Sequence, residues 1–195
     1  MVAPQELAQV VKAVWHKLDF KIATNKMTRH FFFILFIPIF TLTACGQNYD
    51  SFDELKNKII SKTVPLITVQ ELKKVEDTSK SLLILDAREK EEYNVSHIKN
   101  AKYVGYDNFK ISSLKGVSKD TYIVIYCSVG YRSEKIGEKL KQKGFKKVMN
   151  LQGGIFDWVN SGYLVYDNEG NQTKKIHAYD KSWGEWLTKG DKVYE

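Results

Sequence analysis

Cysteine is almost missing from this chain: of its 195 residues only Cys45 and Cys127 carry a thiol. Neither lies in a C-x-x-C pair, which excludes a dithiol redox motif, and no Cys/His spacing suits a zinc site. A P-loop and a dinucleotide fingerprint are absent as well, and there are no internal repeats. The longest apolar stretch, residues 31–40, is too short for a comfortable membrane span. What remains is globular in character, with 43% hydrophobic and 27% charged residues, enough chain for one ordinary domain plus extras. The formal charge is +7 overall, but from Gly46 onward 25 Lys/Arg face 21 Asp/Glu, a difference of only +4. The lysines are dispersed. Their one cluster, Lys139, Lys141, Lys143, Lys146 and Lys147, reads as a solvated helix face, so no nucleic-acid partner is expected.

The two cysteines have opposite surroundings. Cys127 follows the uncharged run Tyr122–Tyr126, rich in β-branched and aromatic residues, which predicts a strand buried on both faces of a parallel sheet. After the loop Cys127-Ser128-Val129-Gly130-Tyr131-Arg132 comes Ser133 and a helical pattern, with Ile136 and Leu140 on one face and Gly144 placed to end it. A cysteine therefore stands where a central strand meets a helix N-terminus, and there unpaired N–H groups and the positive dipole end favour an anion. The thiolate is the reactive form of cysteine, and such surroundings favour it. Gly130 lets successive N–H groups turn inward as a nest. Arg132 can present a planar fork to an oxyanion held there. The plainer alternative is a buried cysteine acting as a small hydrophobe.

Around this loop the chain alternates strands and helices. Strands are predicted at 65–67, 81–86, 101–104 and 147–151, with a last one at 163–166. A capping box, Thr68 with Glu71, starts a helix at Thr68; a short helix suits 107–114, and another 154–160. That order implies an α/β sandwich around a mainly parallel sheet, with Cys127 at the strands' carboxyl ends, where ligands bind in such sheets.

Four ordered motifs carry a family resemblance over about a hundred residues. They are the strand Leu83-Ile84-Leu85 leading into Asp86-Ala87-Arg88-Glu89-Lys90-Glu91-Glu92-Tyr93; Ser96-His97-Ile98-Lys99-Asn100-Ala101; the Cys-x4-Arg-Ser loop; and Leu151-Gln152-Gly153-Gly154-Ile155-Phe156-Asp157-Trp158. Together they resemble the rhodanese family of sulfurtransferases. The departures are Ser96 and Asn100, where glycine is usual, and Lys99, where proline is common. The resemblance implies a rhodanese-like sandwich, with the mainly parallel sheet flanked by helices. It implies Cys127 as the nucleophile that carries a persulfide, and Ser128, Val129, Gly130, Tyr131, Arg132 and Ser133 as the surrounding substrate cradle. Asp86 and Arg88 would support the site as an ion pair, and His97 would be a structural hydrogen-bonder. No metal or organic cofactor is implied; the partners are a small donor, thiosulfate or a persulfide, and a thiol or cyanide acceptor. The same fold resembles a group of phosphatases and arsenate reductases whose loop has one more residue, so the four residues between Cys127 and Arg132 favour sulfur transfer. A persulfide-carrying or partner-binding module without turnover is the non-enzymatic alternative.

The N-terminal region reads as a targeting segment. Thr28, Arg29 and His30 form a basic start, residues 31–40 an apolar core, and Leu42-Thr43-Ala44-Cys45 resembles the bacterial lipobox, in which the cysteine is diacylated. Residues 1–26 are then an over-called start or a short extension, 27–44 a lipoprotein signal peptide and 45–63 a tether that includes one short helix. The rhodanese-like domain occupies 64–166. Residues 167–195 form a tail packed on it, with Trp183 and Trp186. The expected location is the bacterial cell envelope, on the membrane and facing the periplasm or exterior.

Overall fold

The computed structural model describes residues 49–78 and 82–194. The expected signal segment, Cys45 and residues 1–26 lie outside them. Helix α1 (Phe52–Ile59) precedes the alternating elements β1 (Leu66–Ile67), α2 (Val69–Thr78), β2 (Leu82–Asp86), α3 (Lys90–Val95), β3 (Lys102–Tyr103), β4 (Tyr122–Tyr126), α4 (Tyr131–Gln142), β5 (Lys147–Leu151) and α5 (Gly154–Asn160). The five strands form one sheet in the order β1-β5-β4-β2-β3, and every pairing in it is parallel. The chain is thus an α/β fold with a central parallel sheet flanked by helices.

Strand β4 lies between β2 and β5 and is buried from Ile123 to Tyr126. Because side chains alternate across a strand, Val124 and Tyr126 join one apolar cluster with Leu72 of α2 and Ile155, Phe156 and Trp158 of α5. Ile123 and Ile125 join the other, with Ile136 and Leu140 of α4. Helix α4 is two residues longer at its start than the sequence pattern suggested. Gly130 takes φ +114° as its N-cap, a conformation open to glycine at little cost, and the helix begins at Tyr131. The helix predicted at 107–114 is reduced to a 3-10 turn, Ile111–Leu114.

Residues 49–195 form one compact unit. Helix α1 is capped by Ser51, whose hydroxyl accepts from the Glu54 N–H. It buries Leu55, with Ile60 just beyond it also buried. Phe52 stacks on Trp186 with centroids 5.7 Å apart. The Ser61 and Thr63 N–H groups donate to the buried Glu134 carboxylate of α4 at 2.8 and 2.9 Å. An amphipathic stripe and two backbone donors with a buried acceptor dock this segment rather than leave it free.

After α5, the strand predicted at 163–166 does not extend the central sheet. Its last residues, β6 (Val165–Tyr166), pair antiparallel with β7 (Gln172–Thr173), closed by the Asp167 carboxylate accepting from the Glu169 and Asn171 N–H groups. Then β8 (Lys175–His177) pairs parallel with β9 (Asp191–Val193) around the short helix α6 (Lys181–Gly184). Ile176, Ala178 and Leu187 are buried in the first cluster, with Trp183 and Trp186 against it.

Candidate active site

Cys127 sits immediately after β4. Its Sγ accepts the Gly130 N–H at 3.1 Å and lies 3.5 Å from the Ser133 hydroxyl. Backbone geometry makes this turn: with Gly130 in a left-handed conformation, the chain curls around the sulfur and enters α4, whose first N–H groups have no partner within the helix. The carbonyls of Cys127 and Ser128 accept from the Ile155 and Phe156 N–H groups at 2.9 and 3.1 Å. This gives the Gly153-Gly154 pair its meaning. A Cβ on Gly154, whose φ is +56°, would lie 2.2 Å from the Cys127 oxygen, so only glycine lets α5 reach the loop.

Most of the loop's side chains have partners within the fold. The Val129 side chain is buried in the first apolar cluster. Ser133 Oγ lies 2.7 Å from Asn150 Oδ1 and 3.1 Å from the Gly130 carbonyl, which also accepts from Asn150 Nδ2 at 2.9 Å. Its single proton is thus shared among Asn150, the Gly130 carbonyl and the Cys127 sulfur. Ser128 Oγ donates to Glu92 at 2.9 Å. The Arg132 fork, expected to face an oxyanion, is engaged by Glu92: Nη1 to Oε2 at 2.6 Å and Nη2 to Oε1 at 2.8 Å, with Nη2 also 3.0 Å from Ser128 Oγ. Two of its five N–H donors remain for a ligand. Tyr131 opens α4 and is partly exposed.

Glu92 organises this side of the loop, and the sequence reading gave it no role. It is buried at the third position of α3, where its carboxylate also takes the Glu89 N–H at 2.9 Å in a capping box. Burial alone would raise its pKa. The Arg132 hydrogen bonds and charge, then the Arg88 charge and the Glu89 N–H, outweigh burial and hold it at about 2. Burial likewise opposes the charge on Arg132, but Glu92 prevails and its pKa is raised. The available signal was position: Glu92 stands next to Tyr93 in the Asp86-x-Arg88-x-x-x-Glu92-Tyr93 run, four residues after Arg88. Asn150 was also missed; a fully buried amide between Met149 and Leu151 of a strand was its signal.

Asp86 and Arg88 lie behind the loop as a fully buried pair, Nε to Oδ1 at 3.0 Å and Nη2 to Oδ2 at 2.7 Å. Nη2 also donates to the Ser96 carbonyl at 2.6 Å. They touch the Cys127 loop through neither hydrogen bonds nor ion pairs among the described residues, and act on the turn that follows α3. In that turn His97 stacks on Tyr93 with centroids 4.1 Å apart, its Nδ1 at 3.2 Å from the Tyr93 carbonyl; burial lowers its pKa. The two glycine departures have simple explanations. Ser96 is extended, at φ −173°, and needs no glycine. Asn100 takes φ +59°, which asparagine tolerates better than most residues. Among the described residues no three His, Cys, Asp or Glu side chains come together as a metal site.

The rhodanese-like domain family matches residues 68–161. The chain is 34% identical over 98 residues to the candidate sulfur carrier protein YrkF of Bacillus subtilis, an overlap of 50% of this chain and 52% of that protein. It is 38% identical over 81 residues to the tRNA uridine(34) hydroxylase of Escherichia fergusonii, covering 39% of this chain and 23% of that enzyme. The chain therefore spans about half the length of the first relative and under a quarter of the second. Among solved structures, the BH2092 protein of Bacillus halodurans superposes with a TM-score of 0.51 at 24% identity, over 60% of this chain and 88% of its own. All four sequence motifs fall within the family match, and the parallel sheet agrees with the superposition: residues 68–161 are a rhodanese-like domain.

Proposed function

We propose that this chain is a sulfurtransferase that works through a persulfide on Cys127. The observation that carries the reading is the sulfur itself, set at the end of the central strand with the Gly130 N–H aimed at it from 3.1 Å. As thiolate, Cys127 attacks the outer sulfur of thiosulfate; the new S–S bond forms as the old one breaks and sulfite leaves with the electron pair. The terminal sulfur, now anionic, lies by the N-terminus of α4, where backbone N–H groups and the dipole stabilise it. A nucleophilic acceptor, cyanide in an assay or a thiol in a cell, takes that sulfur and returns the thiolate. Two half-reactions through one covalent intermediate give ping-pong kinetics. Arg132 offers its two remaining N–H donors to the donor's anionic end, and Glu92 holds it in place.

A second reading is a carrier that accepts sulfur and delivers it only to a docked partner. It is favoured by the enclosure of Cys127, which is 1% exposed, and by the likeness to a candidate sulfur carrier. The location belongs to the proposal too: a chain diacylated at Cys45 and anchored at a bacterial envelope, supported by the sequence from Thr28 to Cys45.

The test is mass spectrometry after thiosulfate treatment, beside a thiocyanate assay. The wild type should gain one sulfur on Cys127 and form thiocyanate while leaving aryl phosphates intact, and Cys127→Ser should neither gain the sulfur nor form thiocyanate, because a hydroxyl is far harder to ionise. A persulfide without thiocyanate would favour the carrier. Thiocyanate formation by Cys127→Ser at a substantial fraction of the wild-type rate would defeat the proposal.

A further inference from the structure

We infer that Tyr179, in the segment beyond the family match, is a positioning residue for the Cys127 site that clamps Arg132 against Glu92. The inference rests on the sulfur-transfer reading above and deepens it.

Three observations meet at this residue. The Arg132 guanidinium carbon lies 5.2 Å from the Tyr179 ring centroid, within the range of a cation–π contact. Arg132 thus meets the Glu92 carboxylate through its N–H groups and has an aromatic ring beside its guanidinium. Second, Tyr179 holds φ +68°, an unusual conformation for a bulky residue that persists only where surrounding structure imposes it. What imposes it is visible: its N–H donates to His177 Nδ1 at 3.1 Å, and the neighbouring Ala178 N–H to the Val193 carbonyl at 2.8 Å. Third, β8 is tied to the turn after the Glu92 helix, with Ser96 Oγ donating to the Lys175 carbonyl at 2.6 Å. Residues from 175 to 179 therefore register against the helix that carries Glu92, and the ring arrives over the arginine that closes the loop.

Residue 179 is 44% exposed, so its ring contributes little to the core. A tyrosine selected only for packing would not need a left-handed backbone to reach an exposed position. The ring lies against the Arg132 cation, and that contact restricts where the two ligand-facing N–H donors of Arg132 point. Loss of the ring should weaken capture of the anionic donor without touching the chemistry at Cys127, because the sulfur's own partners, the Gly130 N–H and the Ser133 hydroxyl, are unchanged.

The experiment compares the full chain with Tyr179→Leu and Tyr179→Phe. Leucine keeps the bulk and the cost of positive φ but has no π face; phenylalanine keeps the face. Thermal unfolding first establishes that both fold. For Tyr179→Leu the KM for thiosulfate should rise roughly threefold to tenfold, with kcat within about twofold, and Tyr179→Phe should restore the wild-type KM. In parallel, the ¹⁵N-edited NMR signal of the Arg132 Nε–H should move in the leucine variant and hold in the phenylalanine one. A wild-type KM in Tyr179→Leu, or a kcat loss without a KM change, overturns the inference. If the wild type itself forms no thiocyanate, the sulfur-transfer reading falls on its own. The Arg132 signal and a sulfite titration then decide: unchanged signals and equal sulfite affinity in the leucine variant overturn the clamp.

Discussion

Replacing Glu92 by glutamine removes a charge and almost no volume, yet it should be among the most damaging single changes in the domain. The carboxylate takes two hydrogen bonds from Arg132, one from Ser128 and one from the Glu89 backbone. An amide can accept through only one oxygen, and its NH2 group would face the remaining donors. A carboxyl held at about 2 instead of its ordinary 4.5 corresponds to about 3 kcal/mol of folding free energy at neutral pH. The same figure follows independently from breaking a buried ion pair, about 3–5 kcal/mol. Because the folded value is depressed, this stability is fully present above the unfolded value of 4.5 and is lost as pH falls towards about 2. Urea unfolding of wild type and Glu92→Gln should therefore differ by about 3 kcal/mol at pH 7. The gap should narrow steadily below pH 4.5 as the wild-type carboxyl is protonated. A gap below about 1 kcal/mol at pH 7, or one that stays constant down to pH 2.5, would refute the assignment of Glu92 as the charged anchor of the loop.

Gly154→Ala should cost more than about 2 kcal/mol, since its Cβ would lie 2.2 Å from the Cys127 carbonyl oxygen. Gly170→Ala, with the same sign of φ but nothing within 4 Å, should cost only about 1 kcal/mol; equal losses in the two unfolding curves would mean that close approach to the loop is irrelevant. Cys45→Ala should abolish labelling by a palmitate analogue and leave a larger precursor, read by N-terminal mass analysis. An unlabelled wild-type protein would defeat the lipid anchor.

The sheet and the place of Cys127 at the end of its central strand could be read from the sequence because their causes are local. Tyr122–Tyr126 is a short, uncharged run rich in β-branched and aromatic residues, as buried strands are, and a cysteine followed by a glycine and a helical period marks the strand's end. The family motifs carried the rest of that reading, from Asp86 to Trp158. What the tertiary structure alone decided is where the polar groups find partners. Glu92 and Arg132 are 40 residues apart, and Ser133 meets Asn150 across 17; no period or propensity links such positions, since each would be equally at home facing water. The same holds for the chain on either side of the family match. Leu55 and Ile60 announced a helix stripe but not its docking site, and Tyr179 gave no sign of a left-handed backbone over Arg132. Hydrophobic pattern specifies which residues leave water, whereas pairing of buried charge depends on which distant segments the completed fold brings within about 3 Å.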